Sequence, residues 1–175
     1  METERLIMRR WREADKEPFA AMNADPEVME HFPAPLTRAQ SDAMVDRIEE
    51  QFDRLGYGLW ALEVRESGAF IGFAGLALQT FEAPFLPAVE IGWRLARPAW
   101  GHGYAIEAAR RAARYAFEEA GLDGIISMTA ASNVRSQAVM RRLGMTRDPA
   151  EDFDHPRVPE GSPLRRHVLY RLKRP

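Results

Sequence analysis

Cysteine is missing from all 175 residues. That absence excludes disulfides, thiolate metal sites and cysteine nucleophiles together, and it fits a cytoplasmic protein. Lysine is nearly missing: Lys16 and Lys173 are the only two, so the 24 basic side chains are almost all arginine. Against 26 acidic residues they leave a formal net charge of -2. The strongly basic balance of a nucleic-acid binder is not there, and no nucleic-acid partner is expected. No apolar run approaches the roughly 18 residues that cross a bilayer. The opening Met1-Glu2-Thr3-Glu4-Arg5 lacks a basic segment followed by an apolar one, so neither a secretory signal nor a membrane partner is expected. The four histidines, His31, His102, His155 and His167, include no pair at helical i, i+4 spacing. With no thiolates to help them, no metal is expected.

Two phosphate fingerprints are missing as well. There is no Gly-x-x-x-x-Gly-Lys-Ser/Thr. The one Gly-x-Gly of this kind, Gly101-His102-Gly103, is followed three residues on by Ile106 rather than a third glycine.

The patterns present describe one domain, 1–175. Leu6 and Met8 mark a short strand. Residues 15–22 form a helix candidate with Phe19 and Met22 on one face and Asp15 as its cap. A stronger helix begins at Thr37, where Met44, Val45, Ile48, Phe52 and Leu55 recur at helical spacing and Gly56 is the stop. The period then shortens. Residues 57–64 and 70–78 predict a hairpin around Glu66-Ser67-Gly68, and 89–95 a strand that pairs with it. Gly92 in that strand marks a bulge or a close backbone approach. A helix over 102–120 stops at Gly121, and 125–129 is a short apolar strand. This strand–helix–strand run is a crossover of the kind that joins parallel strands. Asn133 or Ser132 caps the next helix, which Gly144 ends. A charged loop and a final strand over 167–172 complete one mixed sheet with helices on its faces.

The richest stretch is Trp100-Gly101-His102-Gly103-Tyr104-Ala105-Ile106-Glu107-Ala108. A glycine turn opening a helix offers unpaired backbone N–H groups and the positive end of the helix dipole, which together suit a pyrophosphate. An ordinary strand-to-helix turn is the alternative for Gly-x-Gly alone. His102 either reaches a phosphate oxygen or simply faces solvent.

Taken together, Val89-Glu90-Ile91-Gly92-Trp93, the glycine turn, and Asn133-Val134-Arg135-Ser136 leading to Leu143-Gly144-Met145 resemble the GNAT superfamily of N-acyltransferases. Thr3-Glu4-Arg5-Leu6 with Arg9, and His167-Val168-Leu169-Tyr170, look like its branch of ribosomal-protein N-terminal alanine and serine acetyltransferases. The resemblance implies an α/β fold: a single GNAT-like domain whose mixed, mostly antiparallel sheet splays between its fourth and fifth strands, with helices on both faces. It implies acetyl-CoA as acyl donor and an amine acceptor, either a protein N-terminus or a small amine. It further implies that amides of Gly101, His102, Gly103, Tyr104 and Ala105 hold the pyrophosphate, and that Trp93, Leu95 and Asn133 bind the pantetheine. In the same reading a backbone N–H near Trp93 serves the oxyanion, Glu90 is a candidate base and Ser136 a hydrogen-bond donor to the leaving thiolate. For Glu90 and Asn133, structural roles (a cross-sheet carboxylate, a helix cap) are the competing readings. The acceptor side would include Phe32, Pro33-Ala34-Pro35 and the loop around His155. One departure from the wider superfamily is Pro98, where glutamine or arginine is frequent three residues before the first glycine. Relatives that pair through sheet edges leave a homodimer open. The rival functional class is a non-catalytic acyl-CoA-binding or sensing module of the same fold; the missing third glycine disfavours a dinucleotide-dependent oxidoreductase.

Overall fold

A computed structural model describes all 175 residues. β1 (Leu6–Arg9) leads to α1 (Lys16–Ala24) and α2 (Arg38–Leu55). The meander β2 (Leu59–Val64), β3 (Phe70–Gln79) and β4 (Ala88–Leu95) follows. Then come α3 (Tyr104–Glu118), β5 (Gly124–Ala130), α4 (Val134–Arg142), the two-residue strands β6 (Thr146–Arg147) and β7 (Phe153–Asp154), and β8 (Arg166–Lys173). The sheet runs β1-β2-β3-β4-β5-β8-β6, with β7 also on β8. All its pairs are antiparallel except β4 with β5. The parallel pair is the one the crossover pattern predicts.

Two layers of helix cover the sheet. Phe73 of β3 meets Phe19 of α1 edge-on and Trp11 at a tilt, and Trp11 in turn meets Phe19 edge-on. The other face carries α3, which buries Ala108, Ala109, Ala112, Ala113 and Ala116. Methyl-sized side chains let this helix lie close against β3 and β4, so its N-terminus sits beside the end of β4. α2 begins where the pattern places it, with Thr37 as its cap: Thr37 accepts from the N–H of Gln40, and Gln40 reaches back to Thr37. It stops at Gly56, whose φ is +76°. β2 ends its pairing with β3 at Leu59↔Gly75. Beyond that point Gln51 of α2 stands in for a strand, donating to Leu76 O at 2.9 Å and accepting from Leu78 N at 3.2 Å.

Four local expectations need correction. Asp15 does not cap α1 with its side chain. It is buried and holds both terminal nitrogens of Arg9, at 2.6 and 2.9 Å, because a guanidinium fork outcompetes a lone N–H for the carboxylate. Gly92 makes no bulge; the register runs straight through Gly75↔Gly92, and the irregularity lies at Leu62/Glu63. α3 begins at Tyr104, after the glycine turn rather than within it. The charged loop near the end contains β6 and β7, both paired to β8.

Candidate active site

β4 and β5 touch at one register position, Glu90↔Ile126; past it they part. Ala96 N–H donates to Ile71 O on β3. Since backbone groups alternate sides along a strand, those of Gly92 and Arg94 also face β3, while those of Trp93 and Leu95 face the gap. The Leu95 carbonyl is taken by the Trp100 indole N–H at 2.8 Å. The N–H groups of Trp93 and Leu95 are left on the open edge, where an extended ligand can pair with them.

The glycine turn lies at the mouth of this gap. Gly101 and Gly103 both have φ +82°, a conformation that side chains disfavour and glycine adopts freely. α3 has no side-chain cap, and none of the N–H groups from Gly101 to Ile106 donates to a protein acceptor. Such a run of orphan donors at a helix start fits a pyrophosphate. The turn is held from behind. Arg5 Nη1 donates to His102 O at 2.8 Å, and Arg5 Nε donates to Glu107 Oε2 at 2.7 Å. Glu107 Oε1 also accepts from Thr3 Oγ1 and from Arg5 N–H. The His102 ring is exposed and stacks on Tyr104.

On the far side of the gap, Asn133 caps α4: its Oδ1 accepts from Ser136 N–H at 3.1 Å and its Nδ2 donates to Thr129 Oγ1 at 3.0 Å. The capping role is therefore real, and one Nδ2 hydrogen is left over. Ser136 is half-buried one turn into the helix and its hydroxyl has no protein partner. Val134 is a large apolar side chain left mostly exposed here, at 67%.

Glu90, Gly92 and Arg94 share one face of β4. Glu90 reaches across the point where the strands part. Its Oε2 accepts from Gln79 Nε2 at 2.7 Å and its Oε1 from Met128 N–H of β5 at 3.4 Å. Burial pushes the Glu90 carboxyl up to about 7, against the pull of those two donors. Above Gly92 the space is open, with nothing within 4 Å of where a side chain would start. The segment between α1 and α2 roofs this face: Phe32 lies over the Arg94 guanidinium at 4.1 Å, and His31 meets Ser132 at 3.4 Å. His155 packs on Phe81, Phe153 and His167. Burial first, then His167 and Arg157, pull it down to about 4, so it is neutral at pH 7. Three acids of that loop are already paired, Glu151 with Arg171, Asp152 with Arg147 and Asp154 with Arg166, while Asp148 accepts from the Ala150 N–H. A cavity of about 310 Å³ opens beside β3, between α2 and Gln79, with Arg47 and Arg157 at its rim.

The structure thus gathers Glu90, Trp93, Leu95, the 101–105 turn, Asn133 and Ser136 around one cleft. Sequence patterns alone missed Gln79, which reads as a loop residue; Arg94, whose meaning depends on Asn23 and Phe32; and the bracing role of Arg5.

A sheet parted beside a helix start with orphan amides points to a class: the acyltransferases that pass an acyl group from a CoA thioester to an amine. Comparison with known proteins agrees. Residues 5–146 match the Acetyltransferase (GNAT) domain family. The uncharacterized protein YkkB of Bacillus subtilis is 30% identical over 144 residues, 82% of this chain and 83% of that one. The FsC-acetyl coenzyme A-N(2)-transacetylase of Aspergillus fumigatus is 41% identical over 95 residues, 52% of this chain and 40% of that one. An acetyltransferase from Agrobacterium tumefaciens superposes with a TM-score of 0.80 at 28% identity, covering 99% of this chain and 94% of that one. The chain belongs to the GNAT acetyltransferase family and is an acetyl-CoA-dependent N-acetyltransferase. No helix is long and apolar enough to cross a membrane.

Proposed function

We propose that acetyl transfer to the amine is direct, within a ternary complex, and that Glu90 is the general base. Bound acetyl-CoA supplies a thioester carbonyl; the chain's own residues do the rest. The amides from Gly101 to Ala105 hold the diphosphate, and Trp93, Leu95 and Asn133 align the pantetheine in the gap. Glu90 takes one proton from the acceptor ammonium, directly or through water. The free amine then forms the C–N bond to the acetyl carbon. The Trp93 N–H meets the oxygen on which charge develops, a contribution commonly worth about 3–4 kcal/mol. As the C–S bond breaks, Ser136 donates a hydrogen bond to the departing thiolate. The second amine proton ends on sulfur, leaving an N-acetyl amine and the free CoA thiol.

The single observation that carries this reading is the position of Glu90. It stands at the one contact between the parting strands, beside open space over Gly92, with a pKa of about 7. A base works best when its pKa is near the operating pH. His155, at about 4, would hold a proton too weakly to compete. The test couples acetyl-CoA titration to thiol release over a panel of amines, including peptides with varied N-termini. Thiol release that depends on an amine supports transfer. Tight acetyl-CoA binding without release from any amine would favour the acyl-CoA-sensing alternative.

A further inference from the structure

Arg94 is a cation without a counter-ion. Its Nη1 donates to Asn23 Oδ1 at 2.7 Å, and no carboxylate lies within ion-pair distance of the guanidinium. Phe32 covers it at 4.1 Å and Phe73 lies 5.5 Å away. Its Nε is buried with no hydrogen-bond partner, and its Nη2 has no protein acceptor. The contrast with Arg9 is sharp: that largely buried guanidinium holds two carboxylates, Asp15 and Glu63. A buried N–H left unpaired costs stability, and more when it belongs to a charged group. Burial without a partner also pulls the Arg94 pKa down to about 10.

The free edge has a particular shape. With Nη1 committed to Asn23, Nε and Nη2 remain, and these two N–H groups form the parallel fork that takes a carboxylate through two hydrogen bonds. The fork lies on the same face of β4 as Glu90, with Gly92 leaving open room between them. The surroundings have the same sign. Arg47 and Arg157 rim the neighbouring cavity, while Glu151, Asp152 and Asp154 of the nearby loop are spent in ion pairs.

We propose that the acceptor is a small amine that also bears a carboxylate, and that the Nε/Nη2 edge of Arg94 binds that carboxylate while the amine lies toward Glu90. This deepens the acetyltransferase reading and rests on it. Arg94 is then the residue that selects amino acids and their conjugates over polyamines and neutral amines. Phe32, 4.1 Å from the guanidinium, shields one side of the bound ion pair.

The test compares amine pairs of matched length that differ only in a terminal carboxylate or carboxamide, with spermidine as a polycation control. CoA thiol release is read for the wild type, Arg94→Gln and Arg94→Lys. At least one carboxylate amine should exceed its amide by tenfold or more in kcat/KM, and spermidine should be poor. Arg94→Gln should collapse that ratio toward one, chiefly through acceptor KM, with acetyl-CoA affinity unchanged. Arg94→Lys keeps the charge without the fork and should fall between the two. Thermal melts check that each variant is folded, and the wild-type ratio needs no variant at all. Equal turnover of carboxylates and amides, a preference for spermidine, or an unchanged ratio in folded Arg94→Gln overturns the proposal while leaving the acetyltransferase reading intact. Acetyl-CoA binding with no thiol release from any amine overturns both.

Discussion

Arg5 grips the carbonyl oxygen of His102 at 2.8 Å across 97 residues of sequence. Because the C=O and N–H of one peptide point opposite ways, holding the His102 carbonyl toward Arg5 turns the Gly103 N–H the other way, away from Arg5. Glu107, one turn into α3, fixes the guanidinium that does this. The turn is thus pre-set by residues that do not line it.

Removing that brace should weaken donor binding without touching the chemistry. Arg5→Met is expected to raise the acetyl-CoA Kd about tenfold, the scale of one charge-assisted hydrogen bond (~1.5 kcal/mol). Turnover at saturating donor should hardly change. Calorimetric titration alongside steady-state kinetics checks both; unaltered affinity would show that the turn keeps its shape unaided.

Glu90→Gln should lower kcat by about 100-fold or more, the usual scale of a lost general base, while acetyl-CoA affinity stays within about twofold. In the wild type kcat/KM should rise with pH through an inflection near 7, and the variant should lack it. Stability moves the other way. The folded protein holds the Glu90 proton up to about 7, whereas an unfolded glutamate releases it near 4.5. The native state therefore binds more protons between those values, and stability falls as pH rises through that window. Denaturation midpoints at pH 5 and pH 7.5 should differ less in Glu90→Gln than in the wild type.

Ser136→Ala should lower kcat by roughly three- to tenfold, a hydrogen bond to a charged leaving group being worth about 1 kcal/mol or slightly more. The acetyl-CoA KM should stay put. An undiminished kcat would remove this hydroxyl from the reaction.

Asp15→Asn should cost about 3–5 kcal/mol by leaving Arg9 with half its buried counter-charge. Burial alone would lift the Asp15 carboxyl, but Arg9, with the Arg12 N–H, holds it below its ordinary value. The sign is then that of a depressed acid. The stabilisation is complete above the unfolded pKa near 3.8 and is lost as pH falls through the lower folded value. Acid unfolding followed by circular dichroism should come earlier in the variant only because its stability is lower throughout; its own curve should lack the steepening below about pH 4.

What the sequence discloses here is whatever short-range pattern can write. Thr37, Gly56 and Gly121 punctuate helices through their immediate neighbours, and a strand, a helix and a strand in succession predict the one parallel pair. The glycine turn is legible because orphan amides need no distant partner. Arg94 is not legible: its meaning lies in Asn23, 71 residues away, and in the carboxylate that fails to appear beside it. Asp15 misleads in a related way, since a cap is a local reading and Arg9 wins from the end of β1. β6 and β7 are two residues each, too brief to show alternation, and exist because β8 offers them a partner. Gln79 becomes part of the site only once β3 and β4 pair in register and bring its amide to Glu90.

The amide of Gln51 has an effect on how copies of this chain can meet. Where β2 gives out, β3 would otherwise present bare donors and acceptors to any passing strand. Gln51 has already answered Leu76 and Leu78, so that berth is taken from within. The outer side of β1 is taken in the same way, by Met1 and Thr3, which fold back onto Met8 and Leu6, so main-chain pairing between copies is turned toward the other end of the sheet, where β6 is outermost.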